Sequence, residues 1–142
     1  MNHLILDASI VALACLPNSE AANQVGSLIQ KVAGSSIKLW LYAGQVGEIL
    51  EQIRRRLTDS DSQDSLTKAR ELLEKFSQQC FWLSALSEDV SFQEDDPIRV
   101  GLVQATSRLG KGAMVVSDVK SRLSYGFPFV GVQQVVDTVM SD

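Results

Sequence analysis

The chain opens on His3-Leu4-Ile5-Leu6-Asp7, a short apolar run that ends in an acid. Such a run suits a strand buried on both faces better than one with a solvated side. After a helical stretch from about Glu20 to Ala33, the run Ser36 to Leu41 reads as a second strand. Val46, Ile49, Leu50, Ile53 and Leu57 then form one stripe of a 3.6-residue period, an amphipathic helix that gives out in the polar loop Thr58 to Asp64. A further helix, about Ser65 to Gln78, carries Leu66, Ala69, Leu73 and Phe76 on one side and leads into the strand Cys80 to Leu83. Past the acidic turn Ser87 to Asp96, the spacing of Ile98, Leu102, Ala105 and Leu109 marks another helix. Gly110-Lys111-Gly112 turns it into the strand Ala113 to Asp118, again apolar and again ending in an acid. Phe127 to Gly131 is a last strand, assigned to an edge because Pro128 cannot donate to a central ladder, and Val132 to Met140 closes the chain as a short helix.

Strands alternating with helices predict a three-layer α/β/α fold with a mostly parallel central sheet covered on both faces. No internal repeat or long linker divides the sequence, so residues 1–142 read as a single domain. Apolar residues make up 45% and charged residues 21%, which excludes a disordered or fibrous chain. The net charge is −4, from 17 acids against 13 bases. An acidic chain does not collect phosphates by its overall field, which argues against a generic basic nucleic-acid binder. A nuclease stays open, because its own carboxylates can tip that balance.

Cys15, Cys80 and the single His3 fit no metal or redox spacing, and Cys15 is expected as a small core residue. The run Leu4 to Leu16 is broken by Asp7, lacks a basic leader and is too short to span a bilayer. The expectation is a soluble, reducing, cytoplasmic protein with no membrane partner. Trp40, Trp82, Tyr42 and Tyr125 lie close to apolar runs and are expected in the core rather than as a base-stacking platform.

In an open α/β sheet the functional crevice lies at the carboxyl ends of the strands. Asp7 and Asp118 end two of the strands, Glu48 sits in the first turns of the helix after the second strand, and Asp96 opens the helix that feeds the strand ending in Asp118. Each acid also has a purely structural reading. Asp7 and Asp118 can cap the helix or turn that comes next, Asp96 before Pro97 is a cap followed by proline at the first helical position, and Glu48 lies nearly opposite the apolar stripe, where a glutamate is ordinarily solvated. Glu51 on the same polar side is a rival for Glu48, as Asp95 is for Asp96.

The four taken in order are more telling. Leu4-Ile5-Leu6-Asp7-Ala8-Ser9, Glu48-Ile49-Leu50 in a helix ending Arg54-Arg55-Arg56, Asp96-Pro97-Ile98-Arg99-Val100-Gly101-Leu102 and Val115-Val116-Ser117-Asp118 together resemble the PIN-domain family of nucleases, over about Leu4 to Val136. The likeness is to the small single-domain members, which include the toxins of VapBC-type toxin–antitoxin pairs. It departs from the pattern at Val116, two before the last aspartate, where the family often has threonine, and at Val119-Lys120-Ser121, where a further acid often follows.

The resemblance implies a metal-dependent endoribonuclease with Asp7, Asp96 and Asp118 as the core of the site and Glu48 acting as a ligand through water. Clustered carboxylates raise one another's pKa unless a counter-charge is present, and Mg²⁺ or Mn²⁺, which takes oxygen ligands and keeps several waters, supplies one. Ser9, Arg99 and Ser117 are the candidate substrate contacts, with Ser9 and Ser117 able to bond either a phosphate or an acid of the site. The arginine triplet is read either as a phosphate contact or as a helix C-terminus favoured by the macrodipole. The implied partners are RNA, an antitoxin protein whose segment covers the acids, and a second copy of the chain through the apolar Val132 to Met140 helix. The alternatives are a PIN-fold scaffold without chemistry and a phosphoacceptor receiver domain; the latter needs an acidic pair at the first strand, where only Asp7 stands.

Overall fold

A computed structural model describes residues 2–16, 19–32, 35–57, 63–84, 97–110, 112–117 and 129–140. Five strands, β1 (His3–Leu6), β2 (Lys38–Tyr42), β3 (Phe81–Leu83), β4 (Ala113–Val116) and β5 (Phe129–Val130), form one sheet in the order β3-β2-β1-β4-β5, and every pairing is parallel. Around it lie α1 (Ala8–Cys15), α2 (Glu20–Val32), α3 (Val46–Arg56), α4 (Gln63–Ser77), α5 (Pro97–Leu109) and α6 (Val132–Met140). This is the expected three-layer α/β/α architecture, with β5 at an edge as the proline placed it.

Alternation along the strands sorts the core into two layers. Leu4, Leu6, Leu39, Leu41, Val116 and Val130 pack with α1, α2, α3, α4 and α6, while Ile5, Tyr42, Leu83 and Val115 pack with Leu102 and Ala105 of α5. α1 is apolar around most of its circumference, with Ala8, Ile10, Val11, Ala12 and Cys15 all buried, because it lies among three other helices. β1 sits at the middle of the sheet. Its connection to β2 runs through α1 and α2 on one face, and the return from β3 to β4 runs through α5 on the other. The point where the chain changes direction therefore lies between the ends of β1 and β4. The α5–β4 turn depends on glycine, since Gly110 and Gly112 have φ of 85° and 91°, the left-handed region that other residues avoid.

Several expectations change. Trp82 was expected in the core but is 42% exposed, beside Phe81 at 53%, because β3 is a three-residue edge strand. Trp40 is half-buried, its ring 5.4 Å from that of Phe81, and its indole N–H donates to His3 Nδ1 at 3.1 Å. Tyr125 lies outside the described residues. Ser65 replaces Leu66 on the buried side of α4, which begins at Gln63, inside the stretch read as loop. The α6 helix packs against α2, with Val135 fully buried and Val136 against the same core. Among the described residues no helix is long and apolar enough to cross a membrane.

Cys15 is buried as expected, and Cys80 packs against the same core. Burial pushes both thiols up to about 12 from an ordinary 9.0, with the neighbouring Cys80 adding to the shift at Cys15. A raised value favours the neutral thiol in the folded state, so this stabilisation is complete below pH 9.0 and is lost as pH climbs toward 12. At pH 8 both thiols are expected to resist alkylation until the protein is unfolded in urea, as mass spectrometry reads. Between pH 9.0 and 12 the wild-type melting temperature is expected to fall more steeply than that of Cys80→Ala; parallel curves would contradict the assignment.

Candidate active site

Asp7 follows β1 directly and Ser117 follows β4 directly, so the parallel register of Leu6 with Val116 sets them level at the carboxyl edge of the sheet. The Asp7 amide continues the ladder to Val116 O at 2.9 Å, and the Ser117 amide bonds Val130 O at 3.0 Å. Two residues 110 positions apart thus meet where the chain changes direction, the place at which open α/β sheets bind ligands. Both are 0% exposed.

A carboxylate removed from water needs donors, and Asp7 has them. Oδ2 accepts from Ser117 Oγ at 2.6 Å, and Oδ1 accepts from the Ala8 amide at 2.9 Å and from Gln45 Nε2 at 2.7 Å. The capping role read for Asp7 is real, since its carboxylate bonds the first amide of α1 and its carbonyl accepts from Ile10 and Val11. Together with the Ser117 and Gln45 donors, that bond fixes the orientation of the carboxylate. Ser117 bonds the acid of the site, one of the two roles read for it.

Gln45 was not among the expected site residues. It is the last residue of the single 3₁₀ turn Ala43–Gln45 that joins β2 to α3, and it is 1% exposed. Its place depends on Gly44, where a Cβ would lie 2.5 Å from the ring of Tyr42, itself buried under α5. Any side chain there forces the ring or the turn to move. The visible signal was a polar stripe, for Gln45, Glu48 and Gln52 stand at i, i+3 and i+7.

Glu48 lies in the first turn of α3 and is half-buried rather than solvated. Its Oε1 accepts from Gln52 Nε2 at 3.1 Å and its Oε2 is shielded from solvent. Glu51 is occupied elsewhere. Arg54, at 2.7 Å, and Arg55, at 3.1 Å, pair with it, and the Arg54 guanidinium hydrogen-bonded to it holds its carboxyl below the ordinary value. With Arg56 bonded to Gln52 O, the arginine triplet is engaged within its own helix at the C-terminal end, in keeping with the macrodipole reading.

Asp95, Asp96 and Asp118 lie outside the described residues, as does the side chain of Arg99, which belongs to the first turn of α5. Among the described residues no three His, Cys, Asp or Glu side chains come together. The donor set at Asp7 nevertheless suits a hard, oxygen-seeking cation. Beside the carboxylate, Gln45 Oε1 is a buried oxygen with no hydrogen-bond partner among the described residues, and Ser9 Oγ, two residues along the chain from Asp7, is another. Buried polar atoms are normally satisfied, and the Gln45 oxygen beside the carboxylate is one that a water or an oxygen-seeking cation could satisfy.

These features define an α/β fold with a buried strand-end carboxylate at its topological switch point. No protein-family model and no curated protein matches the chain.

Proposed function

We propose that the chain is a PIN-domain, divalent-cation-dependent endoribonuclease that hydrolyses RNA phosphodiester bonds at Asp7, Glu48, Asp96 and Asp118. The resemblance to small single-domain members also makes a toxin of a type II pair, with an antitoxin segment over these acids in the cytoplasm, the partner reading to test. The observation that carries the reading is the Asp7 carboxylate, wholly buried at the ends of β1 and β4, held by Ser117, Gln45 and its own helix, with the unpartnered Gln45 Oε1 beside it. A buried charge costs several kcal/mol in lost hydration, roughly, and structure alone does not require one here.

Asp7, Asp96 and Asp118 would hold Mg²⁺ or Mn²⁺, which would offset the clustered carboxylates and activate water toward the phosphodiester. The chain's own residues bind and orient. Ser117 fixes Oδ2 of Asp7, and Glu48, sheltered in the first turn of α3, acts through water. Arg99, near the start of α5, contributes a cation for the phosphate. Ser9, whose hydroxyl has no partner among the described residues, is the remaining substrate contact.

Incubation of the purified protein with total RNA tests this reading. Cleavage is expected with Mg²⁺ or Mn²⁺ and is expected to vanish with EDTA and in Asp96→Asn. Equal cleavage in EDTA, or none with either metal, would contradict it.

A further inference from the structure

Among the described residues the Gln45 side chain makes one hydrogen bond where its amide can make several. The assignment of its two ends follows from chemistry, because an ionised carboxylate only accepts, so the group facing Asp7 at 2.7 Å must be the N–H₂. Its oxygen, one amide width away, is then left buried without a donor among the described residues, in a side chain 1% exposed. A glutamine that served only to brace Asp7 would incur that cost for nothing, since an unsatisfied buried acceptor is unfavourable. A cation coordinated by oxygen, or the water it carries, satisfies such a carbonyl, and amide carbonyls are ordinary ligands of that chemistry.

We propose that Gln45 is a further member of the site, its N–H holding Asp7 while its carbonyl oxygen serves the divalent cation as a neutral donor. This rests on the metal-dependent reading of the site. A neutral oxygen adds coordination without adding to the repulsion among the carboxylates, which a glutamate at this position would increase. Its place at the end of β2 and the entry of α3 also ties the β1 edge to the turn that leads to Glu48. Gln45 is a positioning residue toward Asp7 and a ligand toward the cation.

Calorimetric titration with Mn²⁺ and melting curves with and without Mn²⁺ on wild type, Gln45→Met and Gln45→Glu test the proposal. Gln45→Met keeps the shape and removes both polar ends; Mn²⁺ affinity is expected to fall about 10–100-fold. Gln45→Glu keeps an oxygen but sets a second carboxylate against Asp7. Without metal it is expected to melt below wild type, and Mn²⁺ is expected to raise its melting temperature by more than it raises that of wild type. Wild-type Mn²⁺ affinity in Gln45→Met, or a melting deficit in Gln45→Glu that Mn²⁺ leaves unchanged, would overturn the role of Gln45 while leaving the metal site intact. Absence of binding to the wild type itself would overturn the metal-dependent reading and this inference with it.

Discussion

Asp7→Asn is expected to lower metal-dependent RNA cleavage by about a thousandfold or more while the protein stays folded, since losing several kcal/mol of charge stabilisation costs about a decade per 1.4 kcal/mol. Asparagine keeps the shape and one carbonyl oxygen, so the Ala8 amide and Gln45 Nε2 retain their acceptor. Its amide nitrogen takes the place of Oδ2 and can donate to the Ser117 hydroxyl, which both donates and accepts. The charge itself disappears, and with it the cost of burying an ion, so the melting temperature is expected to hold or rise. Asp7→Ala differs, because it removes the cap and takes away the acceptor of the Ala8 amide and of Gln45 Nε2. That deletion is expected to cost about 1–3 kcal/mol for each orphaned group. Cleavage assays and melting curves on the two variants separate function from support. An Asp7→Asn protein that cleaves within tenfold of wild type would remove Asp7 from the chemistry.

The second large effect concerns the thin side of the sheet. α5 is the only described helix on its face, and Leu102, fully buried, is its largest described anchor against Ile5, Tyr42, Leu83 and Val115. Leu102→Ala leaves a cavity that a single helix can only partly close, and urea denaturation is expected to show a loss of about 3–5 kcal/mol. Because Asp96 immediately precedes α5 and Arg99 lies in its first turn, cleavage is expected to weaken below the temperature at which the fold is lost. A loss under about 1 kcal/mol would mean that α5 is held by something other than this contact.

Much of this architecture was legible because strands buried on both faces announce themselves as continuous apolar runs. Leu4-Ile5-Leu6 and Ala113-Met114-Val115-Val116 each stop at a polar residue that marks the carboxyl edge. The pairing of Asp7 with Ser117 was not legible, since it depends on β1 and β4 being neighbours and apolar pattern carries no strand order. The same gap explains Trp82, whose run looks internal although it lies on the edge strand. Periodicity treated Glu48 as solvated because it measures distance from the apolar stripe of α3, whereas the structure half-buries it with its polar neighbours. Gln45 escaped notice because it lies just before the apolar stripe of α3 and, being neutral, was not among the acids the strand ends singled out.

The acidity of the whole chain takes a local meaning here. Setting Asp7, Glu48, Asp96 and Asp118 aside from the 17 acids leaves 13 against 13 bases, so the net charge of −4 equals the charge of the four acids proposed for the site. Isothermal titration of Mn²⁺ into the wild type and Asp7→Asn asks whether that site binds a cation. Saturable binding to the wild type that disappears in the folded variant is the expected result; equal binding to both, or to neither, would contradict a metal centre built on Asp7.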